Sequence, residues 1–252
     1  MANRVFLVLC VGIALATAEA GAETLVFQQG ALLPGGGAYA GTRDTRIEAS
    51  SSADAFGSSD TLRTDLDHNG AEAQALLRFG DLFGALPDRI PPGSTITSAV
   101  LTLGVFNRST SPVGVISVYR LTTGWNDDST WNSLVNGISV GSDTFPVADA
   151  AHTVEELGPA SFDVLPSIQA WAQGAANRGW VFVNDSTDGV EFWSSEYTDD
   201  PTLRPKLTVT FTPPPGEPVV PALSRSGFAA LLIALAVVGS QLARSGAARS
   251  HC

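Results

Sequence analysis

The strongest constraint on the fold is a hydrophobic period of two along most of the chain. Residues 206–212 alternate cleanly, with Leu207, Val209 and Phe211 on one side and polar side chains on the other. Successive side chains of a strand point to opposite faces of a sheet, so this pattern predicts a half-buried strand. Comparable runs, separated by Gly, Pro, Asn, Asp and Ser clusters, cover residues 24–28, 45–49, 73–79, 95–106, 113–121, 179–184 and 190–195. We therefore expect an all-β, antiparallel β-sandwich, jelly-roll-like, with about eight to ten strands.

One segment has a helical period instead. Within residues 166–176, the apolar side chains of Ile168, Trp171, Ala172 and Ala175 recur at i, i+3, i+4 and i+7, which places them on one helix face. The Asn-Arg-Gly sequence that follows is typical of a helix end. The expected fold therefore includes one short helix that packs by its apolar face.

The N-terminus has the features of a signal peptide. Arg4 precedes an apolar stretch over residues 5–15, and Ala18-Glu19-Ala20 has the small-x-small form of a signal peptidase site. We expect residues 1–20 to direct export by the Sec route and to be removed. The domain that follows is expected to be extracellular.

The C-terminal segment is a candidate membrane segment. Residues 213–226 form a Pro-rich linker, and residues 227–252 form an apolar stretch with a basic tail. The uncharged part spans about 17 residues, which at about 1.5 Å per residue reaches the lower limit for crossing a bilayer core. We expect an apolar helix that contacts the membrane.

The residues around this segment resemble a bacterial envelope sorting signal of the IPTL-CTERM type. The shared order is a proline-leucine motif, an apolar helix and a basic tip, and the matching residues are Pro221, Leu223 and Gly227. The resemblance implies an envelope sorting protease as a partner and a location in the cell envelope or outside the cell. Anchoring and cleavage with release are both compatible with it.

Composition restricts the domain between these segments, residues 21–212. The two cysteines, Cys10 and Cys252, lie outside it, so a hydrophobic core or a bound ion must stabilise it without a disulfide. The chain has 25 acidic and 14 basic residues and a formal net charge of −11. Such a surface repels phosphates and argues against nucleic acid as a partner.

Several blocks in a fixed order resemble the DNRLRE domain. Examples are a leucine-arginine-phenylalanine strand at residues 77–79 and an isoleucine-proline-glycine turn at residues 90–93. The full set covers residues 44–47, 75–81, 90–103, 118–120, 125, 130–132, 162–164, 169–179, 192–196 and 204–207. The resemblance spans residues 42–211 and implies a secreted, non-catalytic β-sandwich, in some members similar to carbohydrate-binding modules for alginate-like acidic glycans. It predicts binding of an extracellular polysaccharide or matrix.

Two of the five tryptophans are candidates for stacking on a sugar ring. Trp180 alternates with Val181 and Val183, so it points outward if those valines point inward. Trp193 lies in the next predicted strand, and Arg178, Arg204 and Lys206 are the basic residues near the closing strands. We take Trp180, Trp193, Arg178 and Arg204 as the predicted ligand-binding residues. Core packing is the alternative for both indoles, as we expect for Trp171 on the helix face.

The sequence Asp-Leu-Asp-His-Asn-Gly at residues 65–70 has a spacing found in calcium loops. Asp65, Asp67 and Asn69 are the predicted Ca²⁺ ligands, with glycine at the turn. The EF-hand pattern fails because Leu76 occupies the position of its bidentate glutamate. Glu72, Asp44 or Glu196 are open choices for completing the site, and an ordinary acidic turn is the alternative.

Catalytic motifs are weak in this sequence. His68 and His152 are the histidines outside the C-terminal tail, and no Gly-x-Ser-x-Gly or His-Glu-x-x-His motif occurs. Asp127 and Asp128 are adjacent carboxylates, but neighbours on a strand point to opposite faces. We expect no enzyme activity. A structural or adhesive surface protein and a polysaccharide-active lyase or hydrolase remain the alternatives.

Overall fold

The computed structural model describes residues 21–108 and 114–215. This part of the chain contains eleven strands, one α-helix and two 3₁₀ turns. In chain order the strands and the helix are β1 (Glu23–Gln28), β2 (Thr42–Glu48), β3 (Thr61–His68), β4 (Ala71–Phe79), β5 (Thr95–Asn107), β6 (Val115–Arg120), β7 (Ala150–Thr153), β8 (Gly158–Asp163), α1 (Leu165–Ala172), β9 (Trp180–Asn184), β10 (Val190–Trp193) and β11 (Lys206–Thr212). Each run with a period of two corresponds to one of these strands, whereas β3, β7 and β8 were not predicted.

All pairs among these strands are antiparallel. The hydrogen-bonded path runs β1-β11-β5-β10-β3-β4-β9-β6-β7, with β2 beside β4 and β8 beside β5. Strand β3 pairs with β10 at its start and with β4 at its end, so the sheet curls and its halves face each other. We call β1, β5, β8, β10 and β11 the first layer and β2, β4, β6, β7 and β9 the second layer. The all-β prediction is confirmed, and the curled sheet fits a β-sandwich; the jelly-roll connectivity stays a prediction.

The main core lies between the two layers. On β11, Leu207, Val209 and Phe211 are at most 1% exposed, and the residues between them are half-buried. The predicted alternation of this strand is therefore confirmed. Burial of one such side chain contributes about 1.5–3 kcal/mol, and many contribute here, so the domain has a core that needs no disulfide.

A second apolar cluster covers the outer face of the second layer. Leu76 of β4 and Val181 of β9 point away from the main core, and side chains from the segment 121–138 pack over them. The members are Ile47, Leu76, Leu121, Trp125, Ile138 and Val181. Strands β4 and β9 are consequently buried on both faces, so alternation there does not mark a face open to solvent.

Helix α1 is shorter than predicted. It ends at Ala172, and Ile168 and Trp171 are buried against the main core, as predicted. Gly174 has a φ of +96°, and its N–H donates a hydrogen bond to the carbonyl of Trp171 at 3.0 Å. A glycine in this left-handed conformation ends a helix, which is why α1 stops before residues 177–179.

Within the described residues, no helix is both long and apolar enough to cross a membrane. The predicted signal peptide, residues 1–20, lies outside the described part of the chain. The same holds for the sorting residues Pro221, Leu223 and Gly227 and for the apolar tail.

Candidate functional site

Three aromatic rings stack on the outer face of the first layer. The indole of Trp193 lies 4.1 Å from the ring of Phe106 and 3.8 Å from the ring of Tyr197, measured between centroids. The interplanar angles are 25° and 13°, so both contacts are stacked. All three side chains are half-buried. We call Phe106, Trp193 and Tyr197 the aromatic stack; its tyrosine comes from the loop after β10 and forms the end away from the sheet.

The pairing of β10 with β5 places the stack. Phe192 of β10 pairs with Val105 of β5, and both side chains are buried in the main core. Their neighbours Trp193 and Phe106 therefore point to the opposite, outer face. Neither the strand pairing nor the stack was predicted from the sequence, although Phe106 ends one predicted strand and Trp193 lies within another.

Gly104 allows Trp193 to lie close to the sheet. A Cβ atom at this position would lie 2.6 Å from the carbonyl oxygen of Leu203 and 3.2 Å from Cδ1 of Trp193. Both distances are shorter than ordinary van der Waals contact, so only glycine fits without a shift of the turn or the indole. Glycine at 104 thus helps to define the shape of the site.

The end of the stack carries negative charge. Desolvation, together with the carboxylates of Asp199, Asp200 and Asp60, raises the pKa of the Tyr197 phenol above its ordinary value. The phenol is therefore neutral around pH 7, and Asp199 and Asp200 are exposed beside it. Carboxylates accept hydrogen bonds from hydroxyl groups and repel anions. The combination of a flat ring and acceptors suits a neutral ligand rich in hydroxyl groups.

The outer face of the first layer continues from the stack as a surface of hydroxyl groups. Thr102, two residues before Gly104 on β5, has its hydroxyl 3.3 Å from that of Ser161 on β8. Across β1 and β11, the hydroxyls of Thr24 and Thr210 are 3.0 Å apart. Small hydroxylated side chains leave this face flat and able to donate and accept hydrogen bonds.

The domain matches a known family over most of its length. Residues 38–211 match the model of carbohydrate-binding module family 96. The chain belongs to this family. The matched region contains Phe106, Trp193 and Tyr197, and it supports the predicted carbohydrate-binding-module-like domain. Modules of this kind are typically non-catalytic. No curated protein matches the chain.

Trp180 of the module is a core residue, and its prediction as a stacking residue is wrong. Its side chain is 0% exposed, its ring lies 4.9 Å from that of Trp171, and its Nε1 donates to Ser167 Oγ at 2.7 Å. The prediction assumed that Val181 faces the main core. Val181 instead faces the second cluster, which turns Trp180 and Phe182 inward.

The two predicted arginines lie at different places in the module. Arg204 supports the aromatic stack, because its Nε donates to the carbonyl of Tyr197 at 2.6 Å and its Nη1 donates to the carbonyl of Gln29 at 3.0 Å. Its guanidinium is thus engaged with backbone behind the ring. Arg178 is exposed, and its carbonyl accepts a hydrogen bond from Trp125 Nε1 at 2.8 Å. Trp125 belongs to the second cluster, so Arg178 and Trp193 are not brought together.

The predicted calcium motif forms the end of β3 and a tight hairpin. Asn69 and Gly70, with φ values of 55° and 82°, connect the paired residues His68 and Ala71, as in a type I′ turn. Oδ1 of the buried Asp65 accepts a hydrogen bond from the Asp67 N–H at 2.9 Å, and Asn69 Nδ2 lies 2.9 Å from His68 Nε2. Calcium binding by Asp65, Asp67 and Asn69 stays a prediction. In the described part of the chain, no group of three or more His, Cys, Asp or Glu side chains could hold a metal ion.

The inner side of β2 is polar where it meets the loop after β10. Asp44 is 1% exposed, and its Oδ2 accepts a hydrogen bond from the Ser195 N–H at 3.0 Å. Burial, and after it the nearby Glu196 carboxylate, raises the pKa of Asp44 well above its ordinary value. Further along β2, the carboxylate of Glu48 is paired with Arg46 and Arg63 at 2.6 and 3.2 Å. Asp44 therefore differs from Glu48 in having an acidic neighbour.

Proposed function

We propose that this module binds a neutral extracellular glycan through the aromatic stack and the adjoining hydroxyl face, and that it performs no catalysis. The observation that carries the proposal is the position of Tyr197 at the outer end of a stack of three rings. An aromatic ring covers the apolar face of a pyranose, and a ring already held by its neighbours loses little conformational entropy on binding. The family supports carbohydrate as the class of ligand.

The charges favour a neutral glycan over a polyanionic one. The formal net charge of the chain is −11, and Asp60, Asp199 and Asp200 lie around Tyr197. A uronate polymer would approach this face against electrostatic repulsion, whereas the hydroxyl groups of a neutral sugar can donate hydrogen bonds to the carboxylates. Arg204 keeps its positive charge, but two of its N–H groups donate to backbone carbonyls and are not available to a carboxylate of a ligand.

A glycan array with the full chain tests the proposal, followed by calorimetry with the glycan that binds best. We expect binding to neutral glycans and none to alginate in chelator. Absence of binding to every glycan would overturn the proposal and favour the structural or adhesive alternative. Cleavage products in the array spots would instead favour a polysaccharide-active enzyme.

Truncation of Tyr197 should weaken this binding. Tyr197→Ala is expected to lower the affinity about tenfold, since one stacked ring contributes about 1.4 kcal/mol. Tyr197→Phe keeps the ring and should retain most of the affinity. Phe145→Ala removes a ring that is 42% exposed and lies over Arg120, away from the stack, and serves as the matched control. Equal losses in Tyr197→Ala and Phe145→Ala would argue against the stack as the binding face.

We also propose that the chain is exported and sorted to the cell envelope, with the DNRLRE-like module outside. The support is the signal-like N-terminus and the sorting motif with Pro221, Leu223 and Gly227. Protease added to intact cells is expected to remove the module, because the basic tail favours the cytoplasmic side. A module that is protected until the cells are lysed would contradict this topology. Mass spectrometry of the mature C-terminus distinguishes a retained anchor from cleavage by a sorting protease.

A further inference from the structure

One oxygen of a buried carboxylate receives no hydrogen bond from an N–H or O–H group of the described residues, and its carboxylate lies within hydrogen-bonding range of Glu196. Asp44 is 1% exposed, and its Oδ1 receives no hydrogen bond from the described residues, while its Oδ2 is bonded to the Ser195 N–H. An oxygen that is buried without a partner carries the full cost of its desolvation, and the cost is higher for a charged group. Such an atom calls for a ligand that supplies positive charge or a donor.

The unpartnered oxygen lies beside a second carboxylate. Ser195 connects the two acids, because its N–H donates to Asp44 and its Oγ donates to Glu196 Oε1 at 2.9 Å. Glu196 is exposed, so this pair reaches from the buried side of β2 to solvent. Among the described residues, no arginine or lysine forms an ion pair with Asp44 or Glu196.

A second oxygen on β2 is also unsatisfied. Thr42 is 2% exposed, and its Oγ1 has no hydrogen-bond partner among the described residues. Thr42 and Asp44 are two positions apart on β2, so their side chains share one face of the strand. The unsatisfied groups at this end of β2 are thus all oxygens, which are the ligands of hard cations.

We propose that Asp44 and Glu196 bind a Ca²⁺ ion at the inner edge of β2, with Ser195 between them. Ca²⁺ takes about six to eight oxygen ligands in flexible geometry, including carboxylates, backbone carbonyls and water, so two acids suffice when the rest is supplied by neutral oxygens. The ion neutralises two carboxylates that otherwise repel each other. Its site is distinct from the hairpin with Asp65, Asp67 and Asn69. Glu196 directly precedes Tyr197, so the ion also fixes the loop that carries the end of the aromatic stack.

Thermal unfolding of the full chain in Ca²⁺ and in chelator tests this site. At a Ca²⁺ concentration of about 100 times the dissociation constant, the melting temperature should rise by about 5–10 °C relative to chelator. Asp44→Asn and Glu196→Gln are nearly isosteric and should abolish the rise. Because Asp44→Asn also removes the repulsion, its melting temperature in chelator should equal or exceed that of the parent. Asp67→Asn is the matched control and should keep the full rise.

Terbium luminescence provides a second readout that needs no unfolding. Tb³⁺ replaces Ca²⁺ at oxygen sites, and here it should be sensitised by Tyr197 and Trp193 and displaced by excess Ca²⁺. The signal should disappear in Glu196→Gln and persist in Asp67→Asn. A parent protein without a melting shift and without displaceable luminescence would overturn the proposal and identify Asp44 as a carboxylic acid that shares a proton with Glu196. A shift lost in Asp67→Asn but kept in Asp44→Asn would overturn it in favour of the hairpin site.

Discussion

Replacement of Trp180 by alanine is expected to lower the free energy of unfolding by about 3–5 kcal/mol, the largest effect of any substitution considered for this module. The indole is 0% exposed and packs on Trp171 and Phe79, with ring centroids at 4.9 and 6.4 Å. Truncation removes these contacts and leaves a cavity in the middle of the core. It also removes the hydrogen bond from Nε1 to Ser167 Oγ.

Chemical denaturation of the full chain, followed by circular dichroism, measures this loss. Trp180→Phe retains most of the ring volume but not the hydrogen bond, so we expect a smaller loss of about 1–2 kcal/mol. Comparison of Trp180→Ala with Trp180→Phe distinguishes a packing role of the indole from a binding role. Full stability of Trp180→Ala together with lost glycan binding would show that the indole serves as a binding platform and that the buried position is incorrect.

The sequence predicted the strands with one solvent face well and misjudged the orientation of β9, which is buried on both faces. On β11 the alternation of Leu207, Val209 and Phe211 is enough, because its other face is polar. On β9 both sets of alternate residues are apolar, so the periodicity alone cannot tell which set faces the main core. The orientation of β9 depends on the second cluster. In this cluster Trp125 and Ile138, which are distant in sequence, pack with Val181. Burial of Trp180 therefore follows from tertiary packing that a local pattern does not contain.

The segment Asp-Leu-Asp-His-Asn-Gly illustrates two competing local signals. The spacing of its carboxylates is compatible with a calcium loop, whereas Asn-Gly between two strands is a strong signal for a type I′ hairpin. The positive φ angles of Asn69 and Gly70 show that the hairpin forms. The turn was the alternative to the calcium loop, but the strand before it, β3, which connects the two layers of the sandwich, was not predicted.

The two sites proposed for the module depend on residues that are far apart in sequence. Phe106 meets Trp193 across the pairing of β5 with β10, and Asp44 meets Ser195 across 151 residues of the chain. Tyr197 lies in a loop, where no periodicity predicts the direction of a side chain. Trp193 was predicted as a ligand-binding residue from the sequence, but its stacked partners required the fold. In the structure Trp193 supports the ring of Tyr197, whereas the sequence predicted that Trp193 itself stacks on the sugar.

Replacement of Trp193 by alanine is expected to reduce glycan affinity about 30-fold, equivalent to about 2 kcal/mol and more than the loss for Tyr197→Ala. The indole lies between Phe106 and Tyr197, so its removal takes away one ring and leaves Tyr197 without the surface that orients it. Trp193 is half-buried on the outer face, so we expect a stability loss of only about 1–2 kcal/mol. Calorimetry at a temperature where Trp193→Ala and Tyr197→Ala are both folded measures the affinity for the glycan. Trp193→Phe, which restores a smaller ring, should recover part of it. Unchanged affinity in a folded Trp193→Ala would exclude the aromatic stack as the binding site and favour the hydroxyl face of the first layer.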